Sequence, residues 1–495
     1  MLHGGRLGDV REDVAKFASS RKDDARLANA VLAINKAHAV MLIEQKIIQQ
    51  QDGAKILSAL AKLSSQKLDP DAEDVHMAVE EAVLGETPAE VGGNLHIAKS
   101  RNDQVTTAIR IQLRNELIDI MLKVLNMQHS LLETASKHTE TVILEYTHLQ
   151  PAQPVTFAHY LLSYVQGLER DVERLKSAYE RVNLCPLGAC AMATTSFPIN
   201  RKRTAKLLGF SDVLENSIDA VSSRDFILET QAALALLAVS LSRLAEDLII
   251  WSSPEFGTVE VPDEFTSTSS IMPQKKNPEV LEVIRARASH ALGDFVASTA
   301  ALKSLPTAYN LDFQEVTPKL WASIDNLGAS LSIFAKLIPN LKVSDNVEGK
   351  AAAGFVGATE LANMLVRKYN VAFRTSHKIV GALVKALIDS NKTLRDATPE
   401  TLQKLAEEVT GMKLAVKKED IVSCTNLRKL VENYKVRGGP SPVEVKKVLK
   451  AKAESMERSK TGITRLRQEI VNAESLLDCA VESYVSPIFL KQGSQ

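Results

Sequence analysis

IRIQLRNELIDIMLKVLNMQHSLL runs from Ile109 to Leu132. Leu113, Leu117, Met121, Val124 and Leu131 recur in it at helical spacing, with further apolar residues beside them, so the stretch reads as a helix whose apolar surface needs neighbours on more than one side. It lies inside a longer run, Asn94 to Gln150, that contains neither glycine nor proline, the residues that most often punctuate a helix. Four more long helices follow by the same signs: Phe157 to Leu184, Phe210 to Ser253, Glu279 to Leu305 and Pro318 to Ile338, the last with a proline suited to its first turn. The third carries QAALALLAVSLSRLAEDLII, whose twelve uncharged residues from Gln231 to Ser242 fall short of the roughly 20 a membrane span needs. They are expected to form a helix buried on all sides. Five such helices in series predict an all-α fold, a long central bundle that packs against other bundles, because a solitary bundle shows polar outer faces.

The flanks read differently. Residues 1–105 mix shorter helices with turns such as LGETPAEVGGN, and residues 361–495 are expected to be short helices with turns at ATPE and VRGGPSP. This gives three segments: an N-terminal helical domain 1–105, a central bundle 106–360 and a C-terminal helical domain 361–495. The basic stretch KKVLKAKAESMERSKTGITRLRQEI reads as a solvated helix face. Lys plus Arg equals Asp plus Glu, at 60 each, which argues against a nucleic-acid partner. Cys185, Cys190, Cys424 and Cys479 fit neither a zinc spacing nor a disulfide framework, and a cytoplasmic, reducing compartment is the simplest expectation. The first residues, MLHGGRLGDVREDVAKF, lack the apolar core of a signal peptide. No membrane partner is expected.

Three polar segments fall at ends of the long helices: HIAKSRNDQVTT (His96–Thr107), EYTHLQPAQP (Glu145–Pro154) and TSTSSIMPQKKNP (Thr266–Pro278). Each has a plain structural explanation. Ser100 and Asn102 suit a helix cap, His148 a hydrogen-bonded structural role, and the serine-rich stretch a linker. Taken together they suit a site at the bundle ends. Lys275, Lys276, Arg101, Asn102 and Asn277 match a carboxylate-rich ligand, and His148 exchanges protons near neutral pH. A serine among backbone N–H donors and beside a lysine fits proton abstraction next to a carboxylate. No metal-ligand cluster or phosphate-cradling glycine loop is present, so neither metal nor cofactor is expected.

SSIMPQKKNP closely resembles the signature of the fumarase/aspartase superfamily, whose members eliminate fumarate from succinyl compounds. KSRNDQV and YTHLQPAQP are similar to the other two active-site regions of the argininosuccinate lyase family. GGRL near the N-terminus, SSRDF at Ser222 and VRGGPSP near the C-terminus extend the likeness over almost the whole chain. PQKKNP sets this family apart from fumarases and aspartases. The resemblance implies a central five-helix bundle that forms a homotetramer with a twenty-helix core and active sites shared between subunits. It also implies cleavage of argininosuccinate to L-arginine and fumarate, in arginine biosynthesis.

Residue by residue, the resemblance implies that Ser269 removes the succinyl proton, Lys275 stabilises the carbanion, His148 transfers a proton and Glu282 orients that histidine. Ser20, Asn102, Thr147, Asn277, Tyr309 and Gln314 match substrate contacts. In two places the chain departs from the pattern. The family has a lysine three residues after the position of Gln314, where this chain has Thr317, with Lys319 two residues on. Either Lys319 takes over or a carboxylate loses a contact. PLGACAMATTSFPIN stands where the family prefers PLGSGALAGTTFPID, so Ala189 and Cys190 replace a Ser-Gly pair. Two rival readings stay open: a lyase acting on another succinyl compound such as adenylosuccinate, and a structural protein, since the family includes lens crystallins.

Overall fold

The computed structural model describes residues 11–63, 68–69, 72–344 and 347–492; the GGRL segment lies outside them. Eight helices build most of the main body, with shorter ones such as Val75–Glu86 added to its core. The eight are α1 (Ala28–Glu44), α2 (Gln50–Lys62), α3 (Arg101–Lys137), α4 (Phe157–Val182), α5 (Asp225–Ser252), α6 (Glu279–Leu302), α7 (Thr317–Leu337) and α8 (Pro442–Gln492). The fold is all-α, as the periodicity predicts. Helix α3 packs on α4 and α7, α7 on α6, α6 on α5, and α5 on α4, so five helices close a ring. Helix α3 is also covered on its outer side by α1 and α8, which accounts for its wide apolar surface. The chain begins α3 with a capping box, Ser100 with Asp103, and begins α7 with Pro318 in the first turn.

The structure corrects four details of the sequence reading. The third predicted helix is broken: Ser217–Ser222 is a separate short helix and α5 starts only at Asp225. Within α5 the apolar stretch is not buried on all sides in the single chain, because Leu236 and Val239 are 49% and 51% exposed. The glycine- and proline-free run beyond Lys137 is not helix but a hairpin, β1 (Val142–Thr147) with β2 (Gln150–Thr156), helped by its β-branched residues. The chain after 361 is made of shorter helices only as far as Asn433; Pro442–Gln492 is one 51-residue helix.

That last helix returns to the main body instead of staying with its sequence neighbours. Val445, Met456, Ile463, Ile470, Leu477 and Val481 join the core around α3. The basic stretch on it is therefore only partly solvated; Lys452 pairs with Glu169 and Arg467 with Asp119. A second core, with Leu361, Leu365, Ile379, Leu383 and Leu402 at its centre, lies among the short helices from Ala358 to Thr425. One stretch, Arg21–Glu44, is long and apolar enough by composition to cross a bilayer, but 78% of its apolar window is buried inside the fold.

Candidate active site

The TSTSSIMPQKKNP segment forms a projecting loop closed at its base. β3 (Ser267–Thr268) pairs antiparallel with β4 (Lys276–Asn277), placing Ser267 opposite Asn277. At its start the Ser269 hydroxyl oxygen accepts the N–H groups of Ile271 at 3.3 Å and Met272 at 3.1 Å. Fixed N–H dipoles aimed at an oxygen favour its anionic form. The two adjacent lysines differ. Lys276 is tied to Glu260 at 3.1 Å and Asp263 at 2.5 Å, whereas Lys275 is exposed and makes no ion pair among the described residues. The sequence places them side by side; only the packing shows which ammonium is left over for a ligand. Glu282 is exposed on the first turn of α6.

Thr147 and His148 sit at the tip of the β1–β2 hairpin, exposed to solvent. The two turn residues, His148 and Leu149, have φ of 55° and 58°. A two-residue hairpin turn asks for positive φ at both positions, normally met by asparagine and glycine. A leucine there is strained, and strain of this kind collects at functional sites. The hairpin thus presents His148 at its tip while giving it no hydrogen-bond partner among the described residues.

Asn102 opens α3 and donates from its side-chain amide to the Ala191 carbonyl at 3.0 Å. Beside it, fully buried Asp103 accepts N–H groups from Ser100 at 3.0 Å, Gly188 at 2.9 Å and Cys190 at 2.8 Å. Burial pushes its carboxyl up to about 6 against the opposing pull of these backbone donors. Asp103 thereby ties the helix start to the loop in which Ala189 and Cys190 replace the family's Ser-Gly. Cys190 has φ of 55°, a conformation natural to the glycine it replaces and costing a side-chain-bearing residue about 1–2 kcal/mol. At this position the loop holds a side-chain-bearing residue in a left-handed conformation.

Ser20, Tyr309 and Gln314, some 290 residues apart in sequence, line one small cavity of about 30 Å³ together with Asp24, Asp74, Arg101, Arg224 and Thr317. The Ser20 hydroxyl donates to Asp24, and burial pushes Asp24 up to about 6. Arg101 is paired with Asp74. Thr317 lines the cavity, whereas Lys319 is exposed on the first turn of α7 and is not part of it. Sequence reasoning gave no role to Asp24, Asp74 or Arg224. Only Arg224 carried a signal, as the arginine of SSRDF. No hydrogen bond or ion pair among the described residues joins this cavity to the Ser269 loop, or either of them to the His148 hairpin.

The Ser269 loop thus carries two N–H donors on one hydroxyl oxygen and a lysine without an ion pair, on an all-α scaffold; the comparisons with known proteins place that scaffold among the lyases. The family model described as Lyase matches residues 9–293, and the model described as Argininosuccinate lyase C-terminal matches residues 355–432. The argininosuccinate lyase of Methanocaldococcus jannaschii is 43% identical over 484 residues, 96% of this chain and 99% of that protein. That of Methanosarcina barkeri is 40% identical over 493 residues, 99% of this chain and 98% of that protein. Among solved structures, an EDDS lyase in complex with formate has a TM-score of 0.88 at 30% identity, covering 97% of both chains. The class II fumarase of Schistosoma mansoni, at 16% identity and a TM-score of 0.69 over 82% of this chain and 90% of its own, shares the fold. The chain belongs to the argininosuccinate lyase family of the fumarase/aspartase superfamily.

Proposed function

We infer that this chain cleaves argininosuccinate to L-arginine and fumarate by β-elimination, in arginine biosynthesis. Ser269 removes a proton from the succinyl carbon next to a carboxylate. The negative charge passes into that carboxylate, where Lys275 meets it. The C–N bond then breaks, its electron pair stays on the guanidino nitrogen, and His148, oriented by Glu282, supplies the proton. Asn102, Thr147, Asn277, Ser20, Tyr309 and Gln314 contact the substrate. The observation that carries this reading is the pair of N–H groups on the Ser269 oxygen in a loop that also carries Lys275, which has no ion pair among the described residues.

The protein works as a homotetramer in the cytoplasm, each site completed by several subunits. Supporting this, Leu236, Val239, Val283, Leu292 and Val296 leave apolar side chains exposed on α5 and α6, more than a solitary bundle tolerates. The segments 1–105, 106–360 and 361–495 are the working domain division, with α8 packing back onto the central one. The decisive assay is ultraviolet detection of fumarate, with argininosuccinate and adenylosuccinate supplied separately. Fumarate from argininosuccinate alone supports the reading; fumarate from neither points to a structural protein.

A further inference from the structure

Arg224 is 3% exposed and lines the cavity that holds Ser20, Tyr309 and Gln314. One terminal nitrogen is used: it donates to the carbonyls of Val221 at 3.1 Å and Ser223 at 2.8 Å. The other terminal nitrogen and Nε are buried with no hydrogen-bond partner. The guanidinium lies 4.2 Å from the ring centroid of Phe313, in the short turn that carries Gln314. No carboxylate lies within ion-pair distance among the described residues. Asp225, its neighbour in sequence, accepts the Phe226 N–H and acts electrostatically on Arg110 instead. Of the cavity's other charged side chains, Arg101 pairs with Asp74 while its own Nε stays without a partner, Asp24 takes the Ser20 hydroxyl, and Asp23 is exposed to solvent.

A buried guanidinium with no counter-charge is unfavourable unless something completes it. Thr317 brings no charge to the cavity, and Lys319, two residues on, lies outside it. We propose that Arg224, and not Lys319, is the cation that receives a substrate carboxylate in this chain. Its free fork of N–H groups matches a carboxylate in geometry and charge. The carboxylate is either the α-carboxylate of the arginine portion or one of the succinyl pair. The inference rests on the lyase reading, so fumarate release by the wild type is established first. Without it the lyase reading fails, whatever Arg224 does.

The test compares Arg224→Met, Arg224→Lys, Lys319→Met and Phe313→Leu by fumarate release, with inhibition by L-arginine and by fumarate measured separately. Loss of a charge-assisted, buried contact of about 2–3 kcal/mol corresponds to a KM raised roughly 30- to 150-fold. Arg224→Met is expected to show this with kcat within about threefold, and Arg224→Lys to recover part of the loss. Lys319→Met is expected to leave KM within about twofold. One product inhibition constant rises with KM: that of L-arginine if the α-carboxylate is bound, that of fumarate if a succinyl carboxylate is. The proposal is overturned if both inhibition constants stay unchanged, if Lys319→Met carries the KM effect, or if Phe313→Leu reproduces the whole effect of Arg224→Met. The last result would reduce Arg224 to a support for that ring. Should Arg224→Met fail to assemble, Arg224→Lys with Lys319→Met decides the same question.

Discussion

Mixing two inactive variants tests the shared-site architecture most directly. Asn102 stands at the first turn of α3, and the hairpin bearing His148 follows its last turn. Helix α3 has 37 residues, and at 1.5 Å per residue its ends are about 55 Å apart. Residues 138–141 form a turn closed by the Thr141 N–H on the His138 carbonyl, so the return comes from the six-residue strand, which folded straight back along the helix recovers at most about 20 Å. Some 35 Å then remain between the two residues of one chain. Argininosuccinate, extended, spans only about 13 Å by ordinary bond lengths. One chain therefore cannot put both its Asn102 and its His148 on one substrate. Take Asn102→Leu and His148→Asn, each inactive alone, dissociate, mix in equal amounts and reassemble. A site that draws the two residues from different subunits has an even chance of an intact copy of each, so about one quarter of sites regain both. Fumarate release per subunit then reaches about one quarter of wild type. Mixed tetramers, shown by mass spectrometry of differently tagged chains, that release no fumarate would refute the reasoning and require both residues to come from one chain.

Three further outcomes are expected. Ser269→Ala lowers kcat by at least about a thousandfold, while its loop position keeps the change in stability below about 1 kcal/mol; turnover within tenfold of wild type assigns the base elsewhere. Lys275→Met lowers kcat, because its partner charge develops only in the transition state, whereas Lys276→Met, which loses Glu260 and Asp263, changes kcat by less than about fivefold; equal effects would mean that the ion pairs do not separate the two lysines. Burial and neighbouring Asp247 push Glu145 up to about 7, above its unfolded value, so its contribution to stability is full below about pH 4.5 and is lost as pH rises through 7. Glu145→Gln removes that loss, and its stability advantage in urea unfolding grows over this range to at most about 3 kcal/mol; a difference that does not vary with pH contradicts the burial.

What the sequence determined by itself was local or motif-borne. Apolar spacing placed the five long helices, Ser100 and Pro318 marked two of their starts, and SSIMPQKKNP with KSRNDQV and YTHLQPAQP carried the family. These signals hold because a helix cap or a helical face involves residues within a few positions of one another. The tertiary structure decided the rest, where the partner lies far along the chain. Whether α8 stays with the short helices before it depends on an apolar stripe from Val445 to Val481 that only α3 and its neighbours cover. Whether Lys275 or Lys276 is loose depends on Glu260 and Asp263. Ser20 meets Tyr309 and Gln314 across some 290 residues, and Arg224 has no carboxylate partner although Asp225 is its neighbour in sequence, the Asp225 side chain accepting the Phe226 N–H. Spacing along a chain reports a side chain's own periodicity; it does not report which distant charge or surface will satisfy it, and that choice is made only when the helices pack.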